Sequence, residues 1–308
     1  MKFDYKLAFS RNLGWLTKQE QEILRNKRIA IAGMGGGGGE YVITLTRLGL
    51  GKFNISDLDA FEVGNFNRQA GAFMHTVGIE KVRAMEEQAL SINPELDINV
   101  FDTGINEENI PAFLKDVDLY VDALDVFTVD IRIKIFDYCH KNKIPAITAI
   151  PMGMGVAALA FMPGKMTFEE YFRVKGKDQM EQTLRLVAGI SPAKWHVNYI
   201  AAHDEIDVQN HKVPSTPMGL KLCAGVLGTM ALKILLKRGE VRVAPRGMHF
   251  DAYRHKFMRT WLPWGNNNPI QKLLLSFMRK RFITKSENKD LPLKPKALNH
   301  HKHLKKMA

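Results

Sequence analysis

Cysteine is scarce in this 308-residue chain: Cys139 and Cys223 are its only two, and no C-x-x-C pair occurs. That excludes a disulfide-stapled scaffold and a four-cysteine zinc site. No structural zinc is therefore expected, and a reducing cytoplasmic setting fits. No G-K-[ST] follows the glycine run, so a P-loop is excluded. The N-terminal MKFDYKLAFSRNLGW has no unbroken apolar segment, which predicts no secretory signal. The longest uncharged stretch, 144–164, is long enough to cross a bilayer, but Pro145, Pro151, Pro163 and the Gly153/Gly155 pair would interrupt a spanning helix. It reads as two buried strands and a turn, and no transmembrane segment is predicted. Acidic residues are outnumbered, 32 against 44 Lys and Arg, leaving a charge of +12. This favours phosphate-bearing or polyanionic partners. A composition 45% hydrophobic and 25% charged is that of a globular protein of one large domain or two.

What is present alternates strand and helix. Residues 18–26 read as a short polar helix and 28–32 (RIAIA) as a buried strand running into glycines. A helix follows over 40–48 and a strand over 52–57. Then come a loop over 58–78, a helix over 79–91, a strand over 97–101, a strand over 119–124, a helix over 129–141 and a strand over 145–149. This β-α-β-α-β rhythm predicts a parallel sheet. Beyond residue 150 the pattern predicts a strand over 156–161, a polar helical region over 168–187, and a polar loop holding His196, His203, Asp204, Glu205, Asp207 and His211. A long apolar helix over 217–237 follows, then short strands over 241–243 and 248–250, and a basic amphipathic helix over 270–283. Residues 285–308 carry seven Lys against two acidic residues and read as a disordered tail.

The chemistry concentrates after the first strand. Gly33, Gly35 and Gly38 satisfy G-x-G-x-x-G between a strand and a helix, letting backbone N–H groups approach a phosphate. Asp57 follows Gly33 by 24 residues at the next strand's end, where a carboxylate accepts ribose hydroxyls. Alone, this suggests a dinucleotide-dependent oxidoreductase. A nicotinamide site has no need, however, for the cluster Asn65, Asn67, Arg68 and Gln69, for Lys81 opening the next helix, or for Asp125 closing a strand. Arg68 and Lys81 suit a polyphosphate and Asp125 is a hard oxygen donor for Mg²⁺, a set that describes ATP.

These residues resemble the ThiF/MoeB/HesA adenylyltransferases and the adenylation half of ubiquitin-activating enzymes. The resemblance rests on the glycine loop, SDLD with Asp57, NFNRQ at 65–69, GIEK ending at Lys81 and DALD ending at Asp125, and it runs from about residue 9 to 161. It implies an α/β, Rossmann-like, mostly parallel sheet with flanking helices, its C-terminal part continuing the sheet. It also implies ATP and Mg²⁺, with Gly33, Gly35, Gly36 and Gly38 cradling the nucleotide and Asp57 on the ribose. Asn65, Arg68, Gln69 and Lys81 would lie around the phosphates, with Asp125 on magnesium. Arg11 in FSRN is similar to an arginine that family members insert into the neighbouring subunit's site, which implies a homodimer. On this reading 1–284 form one adenylation domain: a helical arm 1–27, a nucleotide core 28–165, and a crossover loop with C-terminal extension 166–284.

The chain departs from many relatives in having no cysteine in the crossover loop. Cys139 and Cys223 fall in helical, apolar contexts and read as small buried hydrophobes, so thioester transfer is not expected. The leading function is ATP-dependent activation of a carboxylate, such as the C-terminus of a ubiquitin-like or sulfur-carrier protein. The alternative within the family is a tRNA threonylcarbamoyladenosine dehydratase, which the basic charge suits. Alternatives of other classes are an NAD-dependent oxidoreductase and a non-catalytic nucleotide-binding scaffold.

Overall fold

The computed structural model describes residues 2–202, 205–206 and 213–289, with side chains through Lys280. In chain order the main elements are α1 (Tyr5–Ala8), α2 (Lys18–Asn26), β1 (Arg28–Ala32), α3 (Gly36–Arg47), β2 (Lys52–Ser56), α4 (Lys81–Ile92), β3 (Asp97–Phe101), α5 (Ile110–Phe113), β4 (Leu119–Asp122), α6 (Val129–Lys141) and β5 (Ala146–Met152). They continue as β6 (Gly155–Phe161), α7 (Phe168–Phe172), α8 (Gln179–Ile190), α9 (Pro217–Leu235), β7 (Arg246–Asp251), β8 (Lys256–Trp261) and α10 (Pro269–Lys289).

The eight strands form one sheet in the order β3-β2-β1-β4-β5-β6-β7-β8. The first five are mutually parallel and the last three antiparallel, so the predicted Rossmann-like sheet and its C-terminal continuation are both present. Strand β1 is apolar at every inward position because both of its faces are covered. Ile29 and Ile31 face a core built with α3, α4 and α9. Ala30 and Ala32 face a second core built with α5, α6, α7 and α8, where Phe136, Phe161, Phe168 and Phe172 pack as one aromatic group. Helix α2 begins where its capping box predicts: Glu20 N–H donates to Thr17 Oγ1 at 3.1 Å and Thr17 N–H to Glu20 Oε2 at 2.8 Å. The 144–164 stretch is the β5–β6 hairpin, as two strands and a turn.

Several sequence expectations are corrected. Helix α3 starts at Gly36 rather than residue 40, and its Gly38 lies so close to the Gly33 carbonyl of the turn that a β carbon would stand 1.7 Å from it. The polar region 168–187 is two helices, α7 and α8, separated where Arg173 and Gly176 take positive φ. Residues 241–243 are not a strand: Arg246 N–H donates to Val243 O at 2.8 Å, closing a turn before β7. Strand β8 carries no predicted counterpart. Helix α9 is long and apolar enough to cross a membrane by length and composition. Its Cys223, Ala224, Leu227 and Ala231 are buried in the α3-side core, as a core helix requires. The expected tail lies largely outside the described residues, and α10 extends to Lys289, past the helix expected over 270–283.

Candidate active site

From β1 the chain winds outward to β2 and β3, then returns to β4 on the other side of β1. Open α/β sheets bind ligands outside the carboxyl ends of their strands at such a reversal. Gly33 lies in this crevice with φ +92°, its N–H donating to Ser56 O at 2.7 Å. A β carbon there would stand 2.4 Å from Ala123 O, just past β4, so only glycine lets the two strand ends close up. Gly35 caps α3 without a side chain of its own, leaving the helix's first N–H groups to face the crevice.

At Gly38 an added β carbon would lie 1.7 Å from Gly33 O. Alanine normally gains about 1 kcal/mol over glycine inside a helix, yet this clash is with backbone that cannot rotate away. Gly38→Ala should therefore lower stability by about 2 kcal/mol or more, whereas Gly225→Ala on α9, with open space around it, should raise it by about 1 kcal/mol. Urea midpoints of the two variants check the contrast.

Asp57 is anchored on both oxygens: Oδ2 accepts the Met34 N–H at 2.6 Å and Oδ1 the Asp59 N–H at 2.8 Å. Asp59 in turn pairs with Lys81 Nζ at 2.9 Å and accepts the Lys81 N–H on its carbonyl at 2.8 Å. A continuous chain of contacts thus joins the glycine turn, Asp57, Asp59 and the buried start of α4. Gln69 reaches the turn from the other side. Its amide lies 3.7 Å from where a β carbon of Gly35 would be, and its Oε1 is buried with no hydrogen bond among the described residues. Asn65 accepts the Glu62 N–H at 3.0 Å and so shapes its own loop. Arg68 donates through Nη1 to Gly64 O at 2.9 Å and Asn67 Oδ1 at 2.8 Å, while Asn67 Nδ2 donates to Ser215 O at 3.1 Å. The guanidinium is thus held by its own loop, beside the segment that leads into α9.

Asp125 is exposed just beyond β4, where its Oδ1 accepts the Phe127 N–H at 3.0 Å. Behind it lies a pair that motif spacing missed. Buried Asp122 accepts from Arg132 Nε at 3.0 and 3.1 Å and from Thr148 Oγ1 at 2.9 Å, and Arg132 Nη2 donates to Leu124 O at 2.5 Å. The only sequence trace was Arg132 among the isoleucines of the helix start VDIRIKIF, which Asp130 and Lys134 also share. Among the described residues there is no group of three or more His, Cys, Asp or Glu able to hold a metal. A single exposed carboxylate fits Mg²⁺, which is held by one or two carboxylates together with substrate phosphates.

Arg11 does not join these residues within the chain. Its neighbour Asn12 donates to the Arg47 and Leu48 carbonyls at 3.2 Å, at the C-terminal end of α3, about 18 Å from the end that carries the glycines. Arg11 is exposed beside an open cavity of about 560 Å³ lined by Trp15, Thr44, Arg47, Gly225 and Gly228 among others. Both cysteines are buried, and burial pushes both thiols well up, which suits small hydrophobes and not nucleophiles.

His196 is corrected as well, because it belongs to a polar cluster at the sheet's carboxyl edge and not to an exposed loop. His249 and Asp251 are fully buried there, Tyr199 Oη donates to Asp251 Oδ2 at 3.1 Å, and Trp195 stacks on His249 at 4.9 Å. His203, Asp204, Asp207 and His211 lie outside the described residues. Burial, with His249 adding in the same direction and Asp251 opposing, lowers His196 from 6.5 to about 4; burial lowers His249 too. Between pH 6.5 and about 4 the unfolded chain then binds the proton and the native chain does not. Stability is therefore full above 6.5 and falls with pH, by about 2 kcal/mol at pH 5 from His196 alone. Urea unfolding at pH 7 and pH 5 checks this, and His196→Gln should remove that part of the difference.

The fold is thus a mostly parallel α/β sheet with a glycine turn, an anchored Asp57 and an exposed Asp125 at the carboxyl ends of its strands, the edge where open α/β sheets bind ligands. The chain belongs to the ThiF family, whose model matches residues 9–269. It is 37% identical to tRNA threonylcarbamoyladenosine dehydratase of Haemophilus influenzae over 126 residues, 41% of this chain and 48% of that protein. It is 34% identical to the Bacillus subtilis dehydratase over 143 residues, 46% and 56% respectively. Molybdopterin-synthase adenylyltransferase of Escherichia coli is 26% identical over 162 residues, 52% of this chain and 64% of that one. The chain thus spans about half the length of the curated relatives it matches first. Among solved structures, PaaA superposes with a TM-score of 0.64 at 15% identity, covering 85% of this chain and 74% of that one. E. coli MccB with ATP gives 0.61 at 19% identity, covering 82% and 70%. These likenesses show the fold.

Proposed function

We propose that this chain activates a carboxylate by adenylation. A carboxylate oxygen attacks the α-phosphorus of ATP, the bond from that phosphorus to the oxygen bridging to the β-phosphate breaks, and pyrophosphate leaves with its electron pair. The observation that carries the reading is the Asp57 carboxylate anchored on the glycine turn through the Met34 N–H, with Gly33 closed against Ala123, two residues before the exposed Asp125, where the strand order reverses. Asp57 holds the ribose, and the N–H groups opening α3 with Gln69 hold phosphate oxygens. Arg68, once released from Gly64 and Asn67, and Lys81 offset the repulsion between carboxylate and triphosphate. Asp125 would hold Mg²⁺, which supplies charge neutralisation on the phosphates when bound.

The relatives named as adenylyltransferases support this reading. So does the lack of a reactive thiol, which leaves the activated acyl group to a nucleophile brought by the substrate or a partner. The acceptor class is the C-terminus of a small ubiquitin-like or sulfur-carrier protein. The second reading, a carboxylate on a tRNA base, is favoured by the dehydratases at 33–37% identity and by the charge of +12. Arg11 lies too far from its own crevice, so it serves the site of a second copy in a homodimer. We read residues 1–284 as the adenylation unit and a reducing cytoplasm as its setting.

Acceptor-dependent exchange of labelled pyrophosphate into ATP, tried with small carrier proteins and with bulk tRNA, tests the proposal. Exchange with either supports it and names the acceptor class. Tight NADH binding with no exchange assigns the crevice to a dinucleotide instead, and ATP binding without exchange makes the chain a scaffold.

A further inference from the structure

One exposed face of the sheet has no part in the adenylation site. On β8 the residues Phe257, Arg259 and Trp261 point to the same side, paired across to Phe250, Met248 and Arg246 of β7. That side is the one covered by α9 nearer the middle of the sheet. Burial decays outward along a single rung: Val156 on β6 is fully buried, Phe250 half-buried, and Phe257 58% exposed. Trp261 is 64% exposed. Arg246 and Arg259, both exposed, pair with no acid among the described residues, and no acidic residue occupies this face of β7 or β8. Side chains on one face of a strand repeat at about 6.6 Å, so a rigid strand presents ring, guanidinium, ring in succession.

We propose that this face of β7 and β8 binds single-stranded nucleic acid, with bases stacking on Phe257 and Trp261 and phosphates meeting Arg246 and Arg259. Every base has a face to stack on an aromatic ring, and arginines on an open sheet meet the backbone. The net charge of +12 acts in the same direction at longer range. A second copy of the chain is disfavoured, since two-fold pairing would set cationic faces against each other. A membrane is disfavoured too, because Phe250 and Met248 are half-buried against the core and only the rings of Phe257 and Trp261 stand out, each beside an arginine. Phe257 stands at the carboxyl-edge end of β8, so a strand passing from Trp261 to Phe257 runs toward the edge that holds the nucleotide crevice, four strand spacings or about 19 Å away. The proposal does not rest on the adenylation reading.

Fluorescence anisotropy of the full chain with a labelled single-stranded RNA, the matching DNA strand and the RNA duplex tests it. Binding of single strands should exceed that of duplex. Phe257→Ala and Trp261→Ala should each weaken it about 10-fold or more, and Arg259→Gln should reduce the slope of log affinity against log salt by about 1. All three positions are exposed, so thermal melting should stay near the parent's, and pyrophosphate exchange with a carrier acceptor should persist. RNA and DNA strands bound alike places recognition in base and phosphate; a preference for RNA adds the 2′-hydroxyl. Equal binding by the Phe257→Ala/Trp261→Ala double variant, equal affinity for duplex, or a double variant that loses self-association or vesicle binding while strand binding stays intact would overturn the proposal. Loss of exchange in the parent protein, with strand binding kept, removes the adenylation reading and leaves this one standing.

Discussion

Arg132→Met should lower stability by about 3–5 kcal/mol, because it leaves the Asp122 carboxylate buried without its cation. Asp122 keeps only Thr148 and a distant tyrosine hydroxyl as hydrogen-bond partners, and both groups of the ion pair are almost wholly shielded from water. Removing both charges together should be much milder. Well-packed apolar replacements of a buried pair are often neutral, so Asp122→Leu/Arg132→Met should recover most of the loss. Urea midpoints of the two singles and the double close the cycle. A single variant within about 1 kcal/mol of the parent would contradict the assignment. The pair also has a functional consequence. Arg132 holds the Leu124 carbonyl, one residue before Asp125, so the double variant should be stable yet impaired where Asp125 is needed.

Asp125→Ala and Arg68→Ala should each slow adenylation about 100- to 1000-fold, the usual cost of losing one group that stabilises charge in the transition state. Asp125 is exposed and Arg68 sits in a surface loop, so folding should change by no more than about 0.5 kcal/mol. The separation is what matters: activity lost with the melting curve unmoved. Steady-state exchange rates beside thermal melts give it. Full exchange activity in both variants would return the crevice to a structural role.

The sheet was legible because its central strands are buried on both faces and its glycine turn carries its own geometric demand. RIAIA runs into Gly33, where a positive φ and an added β carbon's position only 2.4 Å from Ala123 O leave room for glycine alone. Helix α2 was legible to the residue because Thr17 and Glu20 cap each other locally. Strand β8 was not, since FDAYRHKFMRTW is neither alternately buried nor apolar. It lies at the sheet's edge with one face open, so no period-2 burial pattern was imposed on it. The crevice residues could be named from type and spacing, but their present partners could not. That Lys81 is paired with Asp59, and that Arg68 is tied to Gly64 and Asn67, depends on loop conformation. Asp122 and Arg132 escaped because a buried ion pair spans ten residues with no motif to mark it, and His196 because its burial comes from strands far along the chain.

A co-crystal with a non-hydrolysable ATP analogue and Mg²⁺ tests the central claim most directly. The account predicts ribose hydroxyls on the Asp57 carboxylate, phosphate oxygens against the N–H groups that open α3, Arg68 swung from Gly64 onto the phosphates, and the metal on Asp125. A nucleotide bound elsewhere, or bound in the crevice with Arg68 and Asp125 untouched, would contradict it.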